Sequence, residues 1–201
     1  RLADAKFFWD NDLRIVNTSG LDLWLEKLKQ VTFHNKLGSQ FERVERITNL
    51  SGAIAKKIGC DPNLAKSAAS ISKSDLSSEM VYEFPELQGV MGTYYATEAG
   101  LEQKIADACK EHYAPLGPSD EVPNSPISIV VASADKIDTL TSFWSINEKP
   151  TGSKDPFALR RSALGLIRII IENDIRISLS DILALGNDGA DIKDLKYFIK
   201  Q

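Results

Sequence analysis

The sequence is poor in the residues that metal, redox and disulfide chemistry most often need. Its 201 residues include two cysteines, Cys60 and Cys109, and two histidines, His34 and His112. Two cysteines so far apart exclude a disulfide framework and a cysteine-rich zinc cluster; they read as reduced thiols. No run approaches 18 consecutive apolar residues, so no membrane-spanning helix is expected. The patterns GxxxxGK[ST], GxGxxG, HExxH and GxSxG are missing, which removes the sequence signs of an ATP loop, a dinucleotide fold, a zinc peptidase and a nucleophile elbow. There is no internal repeat and no low-complexity tract. Strand signals are scarce: IRISLS at 175–180 alternates, but it is short and flanked by helical segments. The chain begins at Arg1 with neither an initiator Met nor a signal-like apolar core, and reads as a piece of a longer polypeptide.

What is present is ordinary for a soluble globular chain: 43% hydrophobic and 26% charged residues, with a net charge of −4. The length suits one domain. An acidic balance argues against a surface that is basic all over and against tight RNA binding by this piece alone. It leaves room for a local basic stripe.

Helix signals dominate and make the expected fold class all-α. Ser39-Gln40-Phe41-Glu42 is a capping box, and Val44, Ile47, Leu50, Ile54 and Ile58 follow at helical spacing until Gly59. Asp61-Pro62, Ser125-Pro126 and Asp155-Pro156 each read as a polar cap followed by proline at the first helical position. Pro85 reads as another helix start. The expected helices lie near 2–14, 20–30, 39–58, 62–72, 75–83, 85–98, 101–113, 126–145, 156–173 and 187–200, with a short one at 179–185. Residues 114–126 and 147–156 are expected as proline-containing surface loops.

Three stretches could carry chemistry. His34, in VTFHNKLGS, and His112, at a helix C-terminus where the dipole favours a cation, are expected to cap or pack. Asp135 and Asp138 are neighbours on one flank of an apolar helix, where carboxylates need partners or a metal. In 155–173, Arg161 and Arg168 share a face with Gly165 between them, which suggests a shallow groove for a phosphate backbone. Arg160 points about 100° away, and Lys154 precedes the helix. These four cations, Lys154, Arg160, Arg161 and Arg168, are the candidate RNA-binding residues; no catalytic residue is expected.

RLADAKFFWDNDL (1–13), VTFHNKLGS (31–39), SKSDLSSEMVYEFPELQGVMGTYYA (72–96), ADKIDTL (134–140) and PTGSKDPFALRRSALGLIRIIIE (150–172) together resemble the beta subunit of the bacterial two-chain glycyl-tRNA synthetase. The likeness runs in order to about residue 185, and DPFALRR and EFPELQG are long enough to be specific. It implies a cytoplasmic aminoacyl-tRNA synthetase, a ligase that uses ATP to join glycine to tRNA(Gly) in protein biosynthesis. In that family the alpha chain holds the glycine and ATP sites, the beta chain binds tRNA, and the two assemble as an alpha2beta2 heterotetramer. The 201 residues would be one central helical domain of the beta chain, similar to the HD superfamily, with 187–201 leading toward the anticodon-binding region. The piece itself would have no activity and no cofactor; the nucleotide-binding function belongs to the alpha chain.

HD-type hydrolases hold metal through a helix histidine, a His-Asp doublet and a later aspartate. Here the doublet falls on Ser72-Lys73 in AASISKSDL, the later aspartate on Asp135, and the first ligand, expected on the 39–58 helix, is missing. The resemblance therefore implies a degenerate centre at Ser72, Lys73 and Asp135 that holds no metal. Lys73 would stand near the cation's place and could pair with Asp135, with Asp75 and Asp138 as rival partners. An active metal hydrolase is disfavoured on those residues, and a purely structural spacer without RNA contact is the alternative.

Overall fold

The computed structural model describes residues 2–201; Arg1 of the first resembling stretch lies outside them. Among these residues the fold is helical, with one two-stranded hairpin, in agreement with the all-α class. The hub is α8, Pro126–Ser145, in which every residue from Ile127 to Trp144 is buried. Ser125 is extended and Pro126 opens the first turn with its fixed φ. A helix so apolar along its length stays helical and soluble only inside other helices.

Four helices wrap the hub. They are α3 (Gln40–Ile58), α4 (Pro62–Ile71), α7 (Gln103–Glu111) and α9 (Leu159–Glu172). The capping box of α3 forms as expected: the Ser39 side chain accepts from the Glu42 amide, and the Glu42 carboxylate accepts from the Ser39 amide. Gly59 ends α3 with φ at 76°, a left-handed turn that only glycine adopts without a Cβ penalty. Asp61 caps α4 by accepting from the Asn63 and Leu64 amides. Ile47, Ile54, Ala68, Val130, Ile137, Leu140 and Leu166 sit in the core these helices share.

A second apolar cluster lies beside it. It is built from α1 (Leu2–Ser19), α2 (Asp22–Lys27), α5 (Glu79–Glu83) and α6 (Val90–Glu98). Trp24 packs edge-on against Tyr95 at 4.8 Å, and Trp9 stacks on the same ring at 5.5 Å. Asp12, fully buried in α1, accepts from the Glu79 and Met80 amides and from the Tyr95 hydroxyl at 2.6 Å. It therefore caps α5 from another helix. Two last helices, α10 (Leu179–Leu183) and α11 (Ile192–Ile199), return to α8.

Several expected boundaries move. VTFHNKLGS folds as a hairpin, β1 (Thr32–His34) with β2 (Gly38–Ser39), turned by Gly38 at φ 85°; three residues of alternation are too few to stand out in sequence. The 20–30 helix is α2 followed by a 3-10 turn at Leu28–Gln30. The 85–98 helix is a 3-10 turn at Pro85–Leu87 and then α6, separated by Gly89 at φ 82°. The 75–83 helix breaks at Ser78, which caps α5. IRISLS forms no strand, and its last two residues, with Ser178 as the cap, open α10.

The helix expected at 187–200 starts only at Ile192, behind the Asp191 cap, and the one expected at 156–173 also starts late. Pro156 does not occupy a first helical position; α9 begins at Leu159 behind Ala158, whose φ is 54°. Asp155 still caps the helix, but from farther away, accepting from the Leu159 and Arg160 amides at 2.8 and 2.9 Å.

Candidate functional site

Four elements meet around Lys73, which follows α4 and is 2% exposed. Its ammonium donates to Asp135 Oδ1 of α8 at 2.9 Å and to His112 Nε2, just past α7, at 3.0 Å. It also lies 4.6 Å from the centre of the Tyr113 ring, on the side where a π face attracts a cation. The pair expected from sequence is therefore formed. The rival partners are engaged elsewhere: Asp75 accepts from the Gly89 and Gly92 amides, and Asp138 from Arg46 at 2.6 Å. Ser72 takes no part, since its hydroxyl donates to the Ala69 carbonyl.

His112 caps and packs as expected, fully buried and with its ring against the end of α7. Burial, and then the Lys73 charge, push its pKa down to about 3, so the ring is neutral. Nδ1 donates to the Ala108 carbonyl at 2.9 Å, which leaves Nε2 as the acceptor for Lys73. His34 packs as expected, edge-on against Phe143 and Phe157, with Nδ1 accepting from the Lys36 amide.

Asp135 and Asp138 are held by a matching pair on the facing helix. Arg43 and Arg46 of α3 are three apart, as the aspartates are, so the two short rows align. Arg43 donates to Asp135 at 3.1 Å and to Thr139 at 3.0 Å; Arg46 clasps Asp138 through two nitrogens. Arg43 and Arg46 were not among the sequence candidates, although two oppositely charged i, i+3 pairs were there to be matched. Burial is the largest influence on the pKa of both Lys73 and Asp135. In Asp135 the charges of Lys73 and Arg43 overcome it and hold the carboxyl well below the usual range. In Lys73 one shared carboxylate does not, and the pKa is lowered.

This donor set does not suit a divalent metal. Asp135 and His112 both face an ammonium, which repels a cation and takes the lone pairs a metal would need. What the cluster does offer is a cleft of about 290 Å³ above it, lined by Arg43, Lys73, Lys136 and Arg161 with Phe33, Tyr113 and Phe157. Lys136, 5% exposed, donates to the Ala114 carbonyl at 2.9 Å, and burial pushes its pKa down to about 8.

The four candidate cations part company. Arg160, Arg161 and Arg168 line one shallow depression with Leu116 and Leu164. Within it Arg168 is committed, donating to Glu172 at 2.7 Å and to the Gly117 and Asp120 carbonyls. Arg160 is exposed and donates once, to the Gly152 carbonyl. Arg161 and Lys154 are exposed, and their side chains have no hydrogen bond or ion pair among the described residues. Lys154 sits apart in the turn pinned by Thr151. The space expected beside Gly165 is taken: a Cβ there would meet Lys136 Cε at 2.6 Å, so glycine makes room for a lysine of this chain.

The family model described as glycyl-tRNA synthetase beta subunit matches residues 1–201. The glycine–tRNA ligase beta subunit of Ruegeria sp. (strain TM1040) is 61% identical over 199 residues, covering 98% of this chain and 29% of the relative. The same-named protein of Dinoroseobacter shibae is 63% identical over 179 residues, 89% of this chain and 25% of the relative. That of Paracoccus denitrificans is 57% identical over 198 residues, 98% of this chain and 29% of the relative. The chain thus spans between a quarter and a third of the length of these relatives. No described helix is long and apolar enough to cross a membrane. With a match over its whole length and this degree of identity, the chain belongs to the glycyl-tRNA synthetase beta subunit family.

Proposed function

We propose that these residues form one HD-like helical domain of a glycine–tRNA ligase beta chain, where they help to position tRNA(Gly) and perform no catalysis themselves. The whole enzyme would use ATP to attach glycine to tRNA in the cytoplasm, with the glycine and ATP sites on a separate alpha chain in an alpha2beta2 assembly. The observation that carries the RNA role is the open edge at the start of α9: Lys154, Arg160 and Arg161 are exposed, and none of them pairs with a carboxylate. Contacts from such an edge would go to phosphate and would orient the RNA without reading its sequence. The HD-like reading is supported by Lys73, whose ammonium meets Asp135 and His112 where a metal would be expected.

In the whole enzyme, replacing Lys154 and Arg160 with glutamine is expected to raise KM for tRNA. The salt dependence should flatten by roughly 0.7–0.9 unit of slope for each phosphate that is no longer neutralised, and the constants for glycine and ATP should not move. An unchanged tRNA constant overturns the role. Arg168 favours the alternative of a structural spacer, because its guanidinium ties α9 to the 117–120 loop. If Arg168→Gln lowers Tm and no cation of this edge affects tRNA, the domain is a spacer.

A further inference from the structure

Positive charge is in excess around the cleft. Arg43, Arg46, Lys73, Lys136 and Arg161 supply it, and Asp75, Asp135 and Asp138 oppose it. Two of the three carboxylates are held on the protein side, Asp138 by Arg46 and Asp75, through Oδ2 alone, by the Gly89 and Gly92 amides. Asp135 alone lines the cleft, and Lys73 and Arg43 share it. Arg43 Nε is buried with no hydrogen-bond acceptor, and Asp138 Oδ2 lies 3.7 Å from it. Arg161 reaches the same space from α9 with its whole guanidinium unpartnered. Buried cations short of anions are costly unless something of opposite charge completes them.

We infer that the cleft takes one phosphoryl group of a nucleotide, held by Arg43 and Arg161, with the buried Lys73 and Lys136 supplying the field beneath it. About 290 Å³ lies just below the roughly 300–1,000 Å³ typical of ligand sites, room for a phosphoryl group and part of one nucleotide and for no large cofactor. Phe33 and Tyr113 line the same space with Arg43 and Lys73 held over their rings, so recognition rests on the phosphoryl group and not on the base. The nucleotide is either a free mononucleotide or one residue of an RNA strand. The second source rests on the tRNA role proposed above, and Arg161 fits it by lining both the cleft and the arginine depression.

The test is calorimetry on the full-length chain, purified without its catalytic partner and titrated with AMP, inorganic phosphate, adenosine and a short unstructured oligoribonucleotide. Saturable binding of AMP, displaced by phosphate and not matched by adenosine, is expected. Arg161→Gln should weaken it about tenfold, roughly 1.4 kcal/mol, at an unchanged Tm because the side chain is exposed and unpartnered. Lys136→Met, if it folds, should weaken it as well. Displacement of AMP by the oligoribonucleotide identifies RNA as the source; failure to displace identifies the free nucleotide. Absence of saturable AMP and phosphate binding, equal binding of adenosine, or an unaffected Arg161→Gln variant overturns the proposal. The Lys154 and Arg160 substitutions should leave AMP binding unchanged, so this site and the tRNA edge fail or stand separately.

Discussion

At the scale of single residues, the Lys73–Asp135–His112 cluster is asymmetric, and mutation should expose the asymmetry. Asp135→Ala leaves Lys73 buried at 2% exposure with a neutral imidazole and the Tyr113 ring but no carboxylate for a partner. The expected cost is about 3–5 kcal/mol, the usual penalty for an uncompensated buried charge. Lys73→Met leaves Asp135 with Arg43 at 3.1 Å, so a smaller loss of about 1–3 kcal/mol is expected. Urea denaturation of the two variants decides: a neutral or stabilised Lys73→Met would mean that the pair does not support the fold.

The same cluster sets a pH dependence. His112 has its pKa lowered to about 3, so between about 3 and 6.5 the unfolded chain binds a proton that the folded chain refuses. Stability then falls on acidification by about 1.4 kcal/mol per pH unit. Asp75 acts in the opposite sense. Burial raises its pKa to about 6, so from about 3.8 to about 6 the folded chain holds the extra proton and acidification favours folding. The two slopes oppose each other in that overlap. Asp135, with its pKa lowered, adds its own loss only below about 3.8. Asp75→Asn is therefore expected to lose stability steeply between about pH 6 and pH 4, where the parent chain is nearly flat. A flat profile in the variant would show that His112 is not the neutral, buried acceptor.

At the scale of elements, capping chemistry was legible at α3 and α4, where one residue and its immediate neighbours decide the start; the equally local caps Ser78 and Asp191 were not picked out, and Ser125 makes no cap bond. Ser39 and Glu42 opened α3, and Asp61 opened α4, as their side chains foretold. The start of α9 was not legible to the residue, because Asp155 reaches four and five positions ahead across the left-handed Ala158. Close packing between elements left no local trace either. A Cβ on Gly186, after α10, would lie 2.8 Å from Thr141 Cβ and 2.6 Å from its Cγ2 on α8. A β-branched side chain in a helix cannot rotate away, so Gly186→Ala is expected to cost about 1–3 kcal/mol. Gly165→Ala clashes with the end of the Lys136 chain and meets the Pro115 carbonyl only at an ordinary 3.5 Å, and should cost less. Comparison of the two Tm values checks the order.

At the scale of the whole molecule, the two larger apolar clusters lie side by side, and Asp12 ties the elements of the second one together. Its carboxylate serves α5 and Tyr95 of α6 at once. Asp12→Ala should therefore loosen α1, α5 and α6 before it touches α8. Native-state hydrogen exchange is expected to show their amides losing protection while those of Ile137 and Leu140 stay near the global limit. Uniform loss across both clusters would mean that the molecule opens as one unit.

The sequence by itself determined the helical class, the starts of α3, α4 and α8, and the family. Each of these is written in residues close along the chain: a cap and its third neighbour, an apolar period, a run such as DPFALRR. Lys73 and Asp135 were also named from sequence, but only as one pairing among three. Which carboxylate the lysine meets depends on how α4, α7 and α8 converge. The roles of Arg43, His112 and Lys136, and the filling of the space beside Gly165, depend on the same convergence. Tertiary structure decided them because burial and charge balance arise between side chains far apart along the chain. Lys73 and His112 are separated by 39 positions, and Arg43 and Thr139 by 96; over such separations no local pattern fixes a distance.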